Sequence, residues 1–267
     1  MPHPTLRSLS HRPFPPPVTP WVMAMRWLDL ALLHWPVPAA ALQRLMPSGL
    51  EVEEHGGAAW LGIVPFRMTG VRVRCLPPLP GSGAFAELNV RTYVRHAGIP
   101  GVWFFSLDAA SRTAVRAARW SFRLPYFDAR MRCERHGDAV HYRSERVHRG
   151  ALPARFAARW WPTAPHAQPH RDTLAHWLVE RYALFAAASD GTLRVGHIHH
   201  EPWQLAPARV EIEECAMTRL LGLELAGPPP LAHDALPLQV VAWAPLRVAM
   251  QPPGRATESC SSSGAAP

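Results

Sequence analysis

The chain has 267 residues, 48% of them hydrophobic and 18% charged, a composition that fits a folded domain with a sizeable core and argues against intrinsic disorder. Its formal net charge of +8 rests on arginine alone, because all 28 Lys+Arg residues are arginine and no lysine occurs. Without a side-chain amine, every mechanism that runs through a lysine imine is excluded.

The arginines are scattered and do not form a basic arm, and abundant Ala, Pro and Arg beside absent Lys reads as GC-rich codon usage. A nucleic-acid partner is therefore not expected. No apolar run approaches the ~18–20 residues of a membrane span, so no membrane partner is expected either. The four cysteines, Cys75, Cys133, Cys215 and Cys260, form no CxxC pair and suggest neither a disulfide framework nor a zinc site. A reducing, cytoplasmic location is the expectation.

In chain order, residues 1–20 (MPHPTLRSLSHRPFPPPVTP) are basic and proline-rich, lack the apolar stretch of a signal peptide, and are expected to be a disordered tail. The run WLDLALLHWPVPAAAL is cut by Asp29, His34, Pro36 and Pro38. A short helix from Pro38 to Met46 ends before Pro47. EVEEH, Gly56-Gly57 and AAWLGIVPF then read as a hairpin. ELNVRTYVRH and GVWFFSLDA flank a turn at 97–101. Ser111 can cap a helix through Phe122, which carries a stripe of Arg112, Arg116, Arg119 and Arg123. That stripe is expected to be a solvated face. Asp108, just before it, is expected to be a turn or capping acid. FDARMRCER and AVHYRSERV flank His136-Gly137-Asp138, Asp172 can cap a helix to about Val179, and RYALFAAA and TLRVGHIHH flank Ser189-Asp190-Gly191. Four hairpins with a few helices between them predict an antiparallel barrel or sandwich in one domain, residues 21–251. Residues 252–267, rich in Pro, Gly and Ser, are expected to be a second disordered tail.

The blocks HWPVPAAALQRLMPSGLEV, AAWLGIVPFRMTGVRVR, ELNVRTYV, GVWFFSLDA, LPYFDARM, LVERYALFA, GHIHHEPW and VVAWAPLRV, over roughly residues 22 to 248, resemble the YqjF-like proteins, an uncharacterised bacterial family also called domain of unknown function 2071. The resemblance implies the fold of acetoacetate decarboxylase: a mainly β (α+β) protein, built as a large, mostly antiparallel β-barrel with an internal cavity and a few short peripheral helices. It implies further that Pro38 to Leu50 matches a decarboxylase segment and that Glu87 matches a glutamate on a central strand. The catalytic lysine pair of the decarboxylases follows a Phe-Pro step. Here the matching step is Leu124-Pro125, with Tyr126 and Phe127 in the lysine places. Arginine is no substitute, since a guanidinium has a pKa above ~12 and is not nucleophilic. The chain is not a lysine-dependent acetoacetate decarboxylase.

Alternation in ELNVRTYVR puts Glu87, Asn89, Arg91, Tyr93 and Arg95 on one face. That face is either solvated or lines a cavity, where Arg91 offers a planar fork for a carboxylate. With Tyr126, the residues Glu87, Asn89, Arg91 and Tyr93 are the ligand-binding candidates. In HIHHE, His197 and His199 share a face and Glu201 follows. They are weaker candidates, because two same-face histidines need a third metal ligand from elsewhere. No metal and no cofactor is expected. Ser106, Ser111 and Ser144 lie in no GxSxG elbow, and no phosphate loop is present. Trp160-Trp161 and Trp203 are expected to pack the core or the barrel mouth. The expected function is binding, or binding and transformation, of a small organic acid without Schiff-base chemistry. The alternative is a non-catalytic scaffold or sensor built on the same barrel.

Overall fold

The computed structural model describes residues 3–76, 83–188, 190–225 and 227–248, so the expected tail at 252–267 lies outside the described residues. The first strands are β1 (Met23–Leu28) and β2 (Leu30–Val37), followed by helix α1 (Ala39–Gln43) and the short strands β3 (Glu51–Val52) and β4 (Glu54–His55). Three long strands, β5 (Ala58–Val73), β6 (Phe85–His96) and β7 (Ile99–Ala109), lead to helix α2 (Arg112–Ser121). Then come β8 (Tyr126–His136), β9 (Ala139–Arg146), β10 (Arg155–Pro162) and helix α3 (Leu174–Val179). The last strands are β11 (Ala183–Ala187), β12 (Leu193–His200), β13 (Leu205–Cys215), β14 (Leu231–Ala235), β15 (Leu238–Ala242) and β16 (Leu246–Arg247).

Two of the hairpin turns carry two successive residues at positive φ, Gly56-Gly57 (64° and 78°) and Ala97-Gly98 (47° and 81°). That is the backbone of a type I′ turn, whose twist matches that of the strands it joins. The four expected hairpins all form. Helix α2 is capped by Ser111 as expected, while α3 is capped by the Thr173 hydroxyl and not by Asp172.

The sheet closes on itself twice. The pairings β1–β15–β12–β11–β7–β6–β5 return to β1 and make a first barrel of seven strands. The pairings β5–β6–β7–β8–β9–β10–β13–β14–β2 return to β5 and make a second of nine. Strands β5, β6 and β7 form a wall common to both. Among the described residues only β7–β8 and β7–β11 pair in parallel. Gly101 permits the second of these contacts, since a Cβ there would lie 2.8 Å from the Ala183 carbonyl oxygen.

Period-2 alternation decides what each barrel contains. From the wall, Leu61, Ile63, Leu88 and Val90 enter the second barrel and pack with Tyr142, Phe156 and Trp160. Burying side chains of this size stabilises by about 1.5–3 kcal/mol each. Their neighbours Val64, Phe66 and Met68 of β5, and Glu87, Asn89 and Arg91 of β6, face the first barrel. A bulge in β7 sets Ser106 against Val90 and Phe104 against Arg91, so Phe105 is the extra residue.

Two expectations are corrected. The N-terminal segment is packed, at least from His3 onward. It makes a 3₁₀ turn at Pro4–Arg7, and His3, Thr5 and Arg12 are buried. Although it offers little apolar surface, it carries donors that match the end of β12. Arg12 Nη1 donates to the Ile198 carbonyl at 2.8 Å, and His11 Nε2 donates to the His200 carbonyl at 2.9 Å. The Arg12 guanidinium also lies over the Tyr182 ring, 4.4 Å from its centre. Asp108, in turn, is no cap. It sits fully buried within β7 and holds Arg146 through three contacts of 2.6–3.1 Å. Among the described residues no helix is long and apolar enough to cross a membrane.

Candidate binding cavity

The first barrel encloses a cavity of about 120 Å³. Its walls are mostly apolar, with Met25, Trp27, Phe66, Phe104, Leu184 and Trp203 among them, joined by Ala118 of α2 and by Phe122, which caps that helix. The arginines of α2 are exposed and do not line the cavity, although Arg119 Nη1 donates to the Tyr126 carbonyl at 2.7 Å. The polar groups are few: Glu87, Asn89 and Arg91 from β6, Tyr126 from the start of β8, Arg181 before β11 and His200 at the end of β12.

Glu87 is 2% exposed. The Tyr126 hydroxyl donates to its two carboxyl oxygens at 3.1 and 3.2 Å, and the Tyr142 hydroxyl donates to its backbone carbonyl at 2.6 Å. Tyr126 arrives there because β8 runs parallel to β7, with Tyr126 beside Leu107. Burial pushes the Glu87 carboxyl up to about 8. The Tyr126 hydrogen bond opposes this shift and the nearby Asp108 adds to it. Glu87 is therefore a neutral acid at pH 7. Burial and the adjacent Glu87 push the Tyr126 hydroxyl well above its ordinary value.

Arg91 lies opposite Gly62, and a Cβ at Gly62 would come within 3.3 Å of the Arg91 Cγ. Its Nε has no hydrogen-bond partner, and it joins none of the ion pairs found among the described residues. Arg181 is bound to the carboxylate of Glu53 and donates through Nε to the Trp177 carbonyl at 2.8 Å, while its Nη2 has no partner. Burial lowers the Arg181 pKa, and Glu53 holds it up. Glu53 also takes Arg95. One carboxylate thus serves two arginines, Arg91 has none, and Glu87 is neutral, so the chamber carries an excess of positive charge.

Tyr93 lies beneath the arginines, with the Arg91 and Arg181 guanidinium carbons 5.6 and 5.2 Å from its ring centre. It shares a 2.6 Å hydrogen bond with His34 and is buried below the cavity lining. Of the five ligand-binding candidates, Glu87, Asn89, Arg91 and Tyr126 thus line one chamber, and Tyr93 supports it. Residues that line the chamber also carry orphaned buried polar atoms: Trp27 Nε1, Asn89 Oδ1, Arg91 Nε, Arg181 Nη2 and Trp203 Nε1. Leaving such a group unpaired costs roughly 1–3 kcal/mol, so their gathering around one cavity marks it as a place for a polar ligand.

The histidine cluster is divided by the strand. His199 faces the N-terminal segment, where its Nε2 donates to the Thr5 carbonyl at 2.9 Å and its Nδ1 meets Arg12 at 3.1 Å. Burial lowers its pKa to about 4. His197 is half-buried and Glu201 is exposed. Both ring nitrogens of His199 are committed, and no trio of His, Cys, Asp or Glu able to hold a metal occurs among the described residues. His200 faces the other way, into the cavity. Its Nδ1 donates to the Glu201 carbonyl at 2.8 Å, and burial lowers its pKa to about 3, so it is neutral.

Sequence reasoning missed His200 and Arg181. Strand alternation separates His200 from His197 and His199, but only the structure tells which side is inside. Arg181 heads the expected strand RYALFAAA, but β11 starts only at Ala183, so strand period says nothing of where Arg181 points.

Residues 24–240 match the model of domain of unknown function 2071, described as an uncharacterized conserved protein. The uncharacterized protein YqjF of Bacillus subtilis (strain 168) is 43% identical over 227 residues, covering 85% of this chain and 92% of that one. Among solved structures, the enduracididine biosynthesis enzyme MppR complexed with pyruvate superposes with a TM-score of 0.58 at 12% identity, over 86% of this chain and 91% of that one. Acetoacetate decarboxylase from Legionella pneumophila subsp. pneumophila str. Philadelphia 1 superposes with a TM-score of 0.58 at 15% identity, over 90% and 93%. These two likenesses concern the fold, which is that of acetoacetate decarboxylase. By family match and by its likeness to the Bacillus protein, the chain belongs to the YqjF-like family, domain of unknown function 2071.

Proposed function

We propose that the first barrel binds a small organic acid, with Arg91 taking the carboxylate and the neutral Glu87 facing the rest of the molecule. The observation that carries this reading is an arginine without an acidic partner in the same apolar chamber as a protonated glutamate. A carboxylate on Arg91 would restore local neutrality, in bidentate form if both guanidinium edges are used. Pyruvate in the MppR structure supports a small oxo acid as the first class to test. Chemistry on such a ligand proceeds without an imine, because the chain has no lysine. The thiols of Cys75, Cys133 and Cys215 are unpaired, in keeping with a reducing, cytoplasmic setting.

A thermal-shift titration tests the reading. Pyruvate at about a hundred times its Kd should stabilise the protein by about 2.7 kcal/mol. Methyl pyruvate, which lacks the charge, should not, and Arg91→Ala should abolish the shift. Equal shifts for acid and ester, or an unchanged shift in Arg91→Ala, would remove the proposal. Binding without turnover is the second reading, and the aromatic Tyr126 at the place the resemblance assigns to a lysine supports it.

A further inference from the structure

We infer that Glu87 is a proton acceptor for carbon acids, and that the cavity enolises short 2-oxo acids directly. This rests on the carboxylate-binding reading above. The geometry supplies the parts. Glu87 and Arg91 lie four residues apart on β6, about 13 Å along the strand, with Asn89 between them on the same face. The Arg91 guanidinium lies 5.6 Å from the Tyr93 ring centre, so an acid held there would have to run along this face, past the Asn89 amide, to meet Glu87. A cavity of about 120 Å³ suits an acid of a few carbons. The Tyr126 hydroxyl holds the Glu87 carboxyl, and the Tyr142 hydroxyl holds the backbone carbonyl of the same residue. It is thus fixed in position and makes no ion pair.

The step balances without a co-reactant. The Glu87 carboxylate removes a proton from the carbon next to the ketone. The C–H pair becomes the carbon–carbon π bond, and the carbonyl π pair moves onto oxygen as an enolate. The positive charge of Arg91 and the Asn89 amide oppose the developing negative charge. Glu87 then exchanges its proton with water and returns one to carbon. The net result is isotopic exchange, with no oxidation and no group lost. A carboxylate with a raised pKa is a stronger base than an ordinary one and is the better proton acceptor once ionised.

The pH profile follows from the groups around Glu87. These are Tyr126 of β8, Asp108 of β7 with its partner Arg146 of β9, Tyr142 of β9, and Arg91 further along β6. Exchange needs the carboxylate, so it should rise with pH through a midpoint at about 8 before levelling off. Loss of the Tyr126 hydroxyl removes the hydrogen bond that favours ionisation, so the profile of Tyr126→Phe should move to higher pH. A purely structural role for Tyr126 would leave the profile in place.

The experiment follows loss of the C3 proton signal of pyruvate and of 2-oxobutanoate in D2O by NMR, against a protein-free control at each pH. Saturation-transfer NMR on the same samples reports binding. The expected result is exchange about 10²-fold above the control, the scale of general-base catalysis. Glu87→Gln should return exchange to the control while binding persists. Bound oxo acid that exchanges no faster than the control overturns the proton transfer and leaves the binding reading intact. Undiminished exchange in Glu87→Gln overturns the role of Glu87. Absence of saturation transfer to both acids overturns both readings.

Discussion

Glu87 is a carboxylic acid that this protein holds away from water and gives no basic partner, and that choice has a price in pH. Its folded-state pKa is raised from 4.5 to about 8, chiefly by burial. The contribution to stability is therefore complete below about 4.5 and is lost as pH rises through about 8, because the unfolded chain sheds its proton first. A tenfold difference in acidity between the folded and unfolded chain corresponds to about 1.4 kcal/mol. Glu87→Gln keeps the shape and removes the titration. Urea unfolding between pH 5 and 8 should show the wild type losing stability relative to Glu87→Gln, and parallel curves would mean that Glu87 ionises normally. The same residue shows how far sequence reading reaches. Alternation placed Glu87, Asn89 and Arg91 on one face, and the family resemblance brought in Tyr126, because strand period and short motifs are local properties. That Tyr126 donates to Glu87, and that His200 faces the same chamber, depends on β8 and β12 being folded beside the wall, which no local pattern records.

At the scale of elements, the hairpins were legible because their turns carry glycines where φ is positive, as at Gly56, Gly57 and Gly98. Strands β1, β2, β14 and β15 were not, because they pair only with partners far away in sequence. The N-terminal segment is the instructive failure. Its composition argued for disorder, yet a few matched hydrogen bonds to strand β12 hold it in place, beside the packing of Leu6 and Phe14 against the barrel. Arg12→Ala should leave the Ile198 carbonyl and His199 without their donor and cost roughly 1–3 kcal/mol, read as a lowered Tm. An unchanged Tm would show that the segment rests on the barrel without supporting it. Because Ile198 and His200 also line the cavity, the same variant should loosen that wall and weaken pyruvate binding.

The whole molecule is two barrels that share a three-stranded wall, and the wall sorts their contents. A slip of one residue in β6 would bring Leu88 and Val90 into the ligand chamber and drive Glu87 and Arg91 among Tyr142, Phe156 and Trp160. Both barrels are also closed by the ends of the described chain. Neighbouring strands β1 and β2 supply one side of each seam, and β14 and β15, only two residues apart, supply the other. A chain ending at Pro230 should therefore lose both closures together. It should bind ANS and melt without a cooperative transition, whereas one surviving cooperative transition would show that a barrel can close without its seam. During synthesis the wall is complete once Ala109 has been made, but neither seam can form until residues 231–242 follow. At ~5–20 residues per second that is a wait of roughly ten seconds, with both apolar faces of the wall uncovered. The risk of aggregation in the cell thus falls on the unfinished chain, and this protein's yield should depend on the chaperones that shelter it during that interval.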